Sequence, residues 1–167
     1  LFAYATLFRS SGCVNTSAGM VNWTLGDIFA VPSDRKIVLE ANDTALLYWI
    51  NDSPLLNYLQ VKPASPSFVP TIYTLEEIKK NVATVNQEED SASRNRNGVL
   101  LANEACSLTK TITPTLWALF NVIHPHTVQA PHKHNSVALD LRVSAQPGVY
   151  TLMSEKIDSE GKLINPM

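Results

Sequence analysis

All four histidines of the chain fall between positions 124 and 134: His124, His126, His132 and His134. Two histidines separated by one residue send both imidazoles to the same face of an extended strand, because strand side chains alternate with period two. His132-Lys133-His134 has that spacing. Two ring nitrogens on one face can hold one first-row metal ion. A catalytic metal needs at least one further ligand and open positions for water, substrate or dioxygen. Taken alone, such a pair is more readily a chance feature of a surface strand. Its context favours a metal: Pro131 precedes it, the alternating run Val137-Ala138-Leu139-Asp140-Leu141 follows, and a buried imidazole without a partner is costly. His124 and His126 share a parity of their own, and a place at the rim of the fold is the commoner outcome for each. Asp140 has the parity of the pair, but six residues of extended chain put it ~20 Å beyond His134. Only a sharp bend would bring it to the metal.

Placing such a pair takes strands, and the chain reads as mainly β. Residues 1–9 are apolar with spaced aromatics and predict a strand. Residues 10–18, rich in Ser, Gly, Thr and Asn, predict a loop. Ile28-Phe29-Ala30-Val31 lies between Gly26-Asp27 and Pro32-Ser33, a short strand bounded by turn signals. Residues 36–40 and 45–50 are two more. Asn51-Asp52-Ser53-Pro54 starts a brief helix over about 54–59. Residues 62–70 hold three prolines and two serines and read as a linker. Thr74 stands three residues before Glu77, a capping-box spacing, and Leu75, Ile78, Val82 and Val85 recur at helical intervals, so a helix runs over 74–85. Residues 86–98 are polar and expected to be mobile. Beyond Gly98 come short β runs at 115–123, 136–143 and 149–153, with Gln146-Pro147-Gly148 turning between the last two and another turn at 158–161. Three segments result: 1–61, a linker with its helix at 62–98, and 99–167.

The totals narrow the classes. The 167 residues are 45% hydrophobic and 17% charged, enough for a buried core. A net charge of −2 argues against a dedicated nucleic-acid binder. The acidic Glu88-Glu89-Asp90 with Arg94 and Arg96 reads as a solvated loop. Cys13 and Cys106 form no C-x-x-C pair, so two free thiols in a cytoplasmic protein is the default and one disulfide the alternative. Sequons at Asn15, Asn22, Asn42 and Asn51 matter only in a secreted glycoprotein, and no signal peptide precedes them. No apolar run reaches the ~18 residues of a membrane span. The chain starts at Leu1 and stops at Met167 within an expected hairpin return, which predicts a piece of a longer protein.

Thr115-Leu116-Trp117-Ala118-Leu119-Phe120-Asn121, followed by Ala130-Pro131-His132-Lys133-His134-Asn135-Ser136-Val137-Ala138-Leu139, resembles the first cupin motif of gentisate 1,2-dioxygenase-like bicupins. Lys133 stands where that subgroup usually has Arg. The general cupin motif adds a glutamate four or five residues after the second histidine, where this chain has Ala138 and Leu139. The gentisate-like subgroup instead uses three histidines on Fe(II). Trp23, Gly26-Asp27-Ile28-Phe29-Ala30-Val31-Pro32-Ser33 and residues 45–56 resemble the second cupin motif. The histidine that usually follows Pro-Ser is missing from Asp34-Arg35-Lys36-Ile37-Val38, which makes this first piece metal-free.

The resemblance covers most of 21–60 and 98–154. It implies the end of one cupin barrel, a double-stranded β-helix or jelly roll, then a helical connector and the start of a second barrel. The two halves could also pair into one composite barrel. In the parent protein it implies Fe(II), or another divalent metal, on His132, His134 and a third histidine beyond residue 167. The reaction implied is ring cleavage of an aromatic hydroxy acid by dioxygen. Arg142 and Trp117 are the substrate-binding candidates, with Phe120 beside Trp117, although rim solvation for Arg142 and core packing for the aromatics are the commoner roles. The alternative is a non-catalytic cupin that binds a small ligand or builds a homo-oligomer interface.

Overall fold

The computed structural model describes residues 2–32, 37–63, 68–94 and 96–167, which fall into two compact units, 1–125 and 126–167. Ser33 of the expected Pro-Ser turn signal, Asp34, Arg35 and Lys36 of the expected histidine-free stretch, and 64–67 of the expected linker, lie outside the described residues.

The N-terminal unit carries β1 (Phe2–Arg9), β2 (Gly12–Thr16), β3 (Gly19–Trp23), β4 (Ile28–Pro32), β5 (Val38–Ala41), β6 (Leu46–Asn51), α1 (Ser53–Tyr58), β7 (Thr71–Tyr73), α2 (Leu75–Asn86), β8 (Arg96–Leu100) and β9 (Leu119–Ile123). All the pairings are antiparallel. The sheets run β6-β1-β4-β7, β3-β2-β5 and β8-β9. The protein is thus mainly β with small antiparallel sheets, and among the described residues none of them closes into a barrel. β8 and β9 pair only with each other, so the early and late β pieces do not share a sheet and the composite barrel is ruled out among these residues. No helix among them is long and apolar enough to cross a membrane.

β4 organises the unit. It lies between β1 and β7 and is buried along its whole length. Alternation sends Ile28 and Ala30 into one core, with Phe68, Ile78, Val82, Leu101, Ile112 and Ala118. Phe29 and Val31 enter a second, with Val14, Val21 and Trp23. A strand covered on both faces has no polar positions to alternate, which is why its sequence is one apolar run.

The segment read as a loop over 10–18 is largely strand. Gly12 to Thr16 pairs with β3 on one side and β5 on the other, and Val14 is fully buried between them. Tertiary pairing overrides the turn-like composition here. A β-carbon on Gly12 would stand 2.0 Å from the Glu40 carbonyl oxygen and 2.5 Å from the Trp23 ring. Backbone on one side and a buried indole on the other leave nothing flexible to yield. Gly12→Ala is therefore expected to cost about 2–3 kcal/mol by overpacking, read as a lowered urea midpoint. An unchanged midpoint would show that β5 can move away freely.

Helix α2 starts as its sequence predicts. Thr74 Oγ1 accepts from the Glu77 amide at 3.2 Å and donates to Glu77 Oε2 at 2.9 Å. Ile78 and Val82 are its buried residues. A second cap comes from far away in sequence. Asp27, 5% exposed, accepts from the Leu75 amide at 2.9 Å through Oδ1, and from the Thr24 amide and hydroxyl at 2.8 and 3.0 Å through Oδ2. Gly26 holds the turn that aims this carboxylate, at φ +85°, where a side chain would be strained.

Within the polar stretch 86–98, expected to be mobile, the described residues make local contacts. Ser91–Ser93 form a 3₁₀ turn, and β8 already begins at Arg96. Arg94 bridges Glu88 and Asp90, both at 2.6 Å, across solvent-exposed side chains. Such exposed pairs add little stability. The anchor is Asn97, 1% exposed, which donates to Asn86 Oδ1 at 2.6 Å.

The C-terminal unit has one hairpin, β10 (Lys156–Ile157) with β11 (Leu163–Ile164). Its turn lies where the sequence places it, with Asp158 Oδ1 accepting from the Glu160 and Lys162 amides at 2.9 and 2.8 Å. The strands expected over 136–143 and 149–153 are not formed. Apolar alternation prepares a strand, but a ladder also needs a neighbour to take its amides and carbonyls. Residues 131–153 are exposed and pair with no strand among the described residues.

Candidate functional site

The four histidines divide between the units. His124 follows β9 and is half-buried. Its Nε2 lies 2.9 Å from Asn97 Nδ2. With the amide nitrogen as donor, Nε2 accepts. This imidazole helps anchor the start of β8. His126 is exposed in a turn at φ +58°, in the left-handed region.

His132 and His134 are exposed, on irregular backbone instead of the strand that their spacing predicts. They nevertheless lie side by side. Their ring centroids are 5.1 Å apart and their planes meet at 87°. His132 Nδ1 is 3.5 Å from the Ala130 carbonyl oxygen, at the outer limit of a hydrogen bond. With a metal ~2.1 Å from each ring nitrogen, centroids of two ligating imidazoles stand roughly 4.5–5.5 Å apart. The pair fits that span. Among the described residues no third carboxylate, thiol or imidazole gathers with them.

The remaining candidates are dispersed. Asp140 is exposed. Arg142 Nη1 donates to the Val149 carbonyl at 3.0 Å, tying together the ends of the 142–149 loop. Trp117 is 54% exposed, so core packing is not its role, whereas Phe120 is half-buried against the first core. Cys13 and Cys106 are unbridged.

A polar group that the sequence does not single out lies in the N-terminal unit. The Tyr73 hydroxyl is buried with no hydrogen-bond partner among the described residues. Burial, and then the neighbouring Cys106, push its pKa up to about 12. The phenol is neutral in both folded and unfolded chains below pH ~10. Between pH 10 and 12 the unfolded chain gives up the proton first, so stability falls as pH rises. Tyr73→Phe is expected to flatten this alkaline loss, measured as the difference in urea midpoints at pH 8 and pH 11.5. An equal loss in both proteins would assign the effect to other groups.

No family model, curated protein or solved structure matches the chain.

Proposed function

We propose that His132 and His134 are two ligands of one divalent metal ion, Fe(II) in the first instance. The parent protein is then a cupin-type dioxygenase that opens the ring of an aromatic hydroxy acid. In this reading residues 1–61 are the end of a first cupin, 62–98 the connector, and 99–167 the start of a second. The observation that carries the reading is the placing of the two imidazoles, 5.1 Å between centroids, within the span that a shared metal sets.

Imidazole nitrogen suits iron, and two ligands leave positions open for substrate and dioxygen. When bound, the metal would supply a template on which both reactants meet. The chain's own residues orient and bind. Arg142 spends one N–H on Val149 and keeps the rest of its fork for a substrate carboxylate. The unbridged thiols suit a reducing, cytoplasmic setting.

The test is anaerobic titration of the whole chain with Fe(II), and with Co(II) as a spectroscopic probe, beside a His132→Ala/His134→Ala variant. Stoichiometric binding that weakens in acid and is lost in the variant is expected, since ligand nitrogens must be unprotonated. Binding that the variant leaves unchanged would sink the metal reading and turn attention to a non-catalytic cupin module.

A further inference from the structure

The C-terminal unit carries a segment patterned as a strand that has no partner strand among the described residues. Val137, Leu139, Leu141 and Val143 share one parity and are all exposed, Val137 by 87%. Ala138, Asp140, Arg142 and Ser144 hold the other parity. Neither proline nor lysine, the usual guards of an open strand edge, occurs between 135 and 146. Asp140 and Arg142 make no ion pair among the described residues, and Arg142 gives Nη1 to the Val149 carbonyl at 3.0 Å.

The order of the two charges selects a neighbour for this segment. Paired antiparallel with itself and centred on Leu141, it sets Asp140 opposite the partner's Arg142, and Arg142 opposite the partner's Asp140, on one face. On the other face Leu141 meets its counterpart and Leu139 meets the partner's Val143. Directly opposite side chains are the closest across a ladder, and opposite charges there attract. Moving the centre to 140 or 142 keeps the faces but sets Asp140 against the partner's Asp140, or Arg142 against the partner's Arg142. A parallel pairing in register does both. A centre between two residues turns the charges onto the apolar face.

We propose that residues 137–145 form an antiparallel strand pair with the same residues of a second copy of this chain, across a two-fold axis at Leu141. Two strands alone are marginal in water. The run 149–153, returned by the turn in which the Val149 amide donates to the Gln146 carbonyl at 3.2 Å, supplies a flanking strand from each copy. In the dimer the partner's Asp140 takes the part of the Arg142 fork that Val149 leaves, in competition with a substrate carboxylate. The histidine pair takes no part, so failure of the dimer and failure of metal binding are separate results.

The test is sedimentation equilibrium of the whole chain over a range of concentrations, with the two charges exchanged one at a time. The parent is expected to dimerise reversibly, and amide protection over 137–143 should rise with the dimer. Asp140→Arg and Arg142→Asp each set like charges opposite at both pairs and should weaken the dimer roughly tenfold or more. Mixed in equal amounts, the two variants should dimerise with each other about as tightly as the parent does, because every pair is again opposite in sign. Both positions are exposed, so tryptophan emission of the N-terminal unit should be the same in all three chains. A parent that stays monomeric into the millimolar range, a dimer that neither variant weakens, variants that fail to combine, or open-ended aggregation would each overturn the proposal.

Discussion

Replacing Asp27 by alanine is expected to lower the stability of the N-terminal unit by about 3–5 kcal/mol, the sum of several hydrogen bonds to a charged group. The side chain is almost fully buried and accepts from two backbone amides and one hydroxyl. Alanine leaves the Thr24 and Leu75 amides facing each other with no acceptor, and α2 loses the carboxylate at its positive end. Asp27→Asn keeps one oxygen and should fall between the two. Trp23, Trp49 and Trp117 all belong to residues 1–125. Tryptophan emission during urea unfolding therefore reports this unit alone. A loss under about 1 kcal/mol would mean that water replaces the carboxylate, and the long-range cap would not be a stabilising contact.

Phe29→Ala should cost a similar ~3–5 kcal/mol, as large-to-small core substitutions do. Phe29 is fully buried against Val14, Val21, Trp23 and Val31. The rigid strands on both sides of β4 limit collapse into the cavity. Phe29→Leu should lose far less, and Tyr58→Ala, at a position 84% exposed, should stay within roughly ±0.5 kcal/mol. If Phe29→Ala and Tyr58→Ala gave equal midpoints, the second core would not be a packed one.

What the sequence discloses are features decided by neighbours along the chain. The capping box at Thr74 and the apolar period of Ile78 and Val82 lead directly to α2. The run at 28–31 leads to β4, and the turn at 158–161 to the last hairpin. Features decided by distant partners are hidden. Gly12 and Asn15 look like loop residues until β3 and β5 flank them. Val137, Leu139 and Leu141 alternate as strand residues do, yet all three are exposed with no partner strand among the described residues. For the candidate site, the His132 and His134 rings lie together on irregular backbone, not on the strand that their spacing predicts. Nothing around Tyr73 in the sequence announces a buried hydroxyl, because its surroundings come from later in the chain, Cys106 among them.

The Gly26-Asp27 turn ties two parts of the chain into one kinetic unit. The amides of Thr24 and Leu75 are held by the two oxygens of a single carboxylate, and Leu75 lies 48 residues beyond Asp27. Neither bond survives if that side chain swings out. The two amide protons should therefore exchange with deuterium in step, through one shared opening beside the Ile28–Tyr73 end of the β4–β7 ladder.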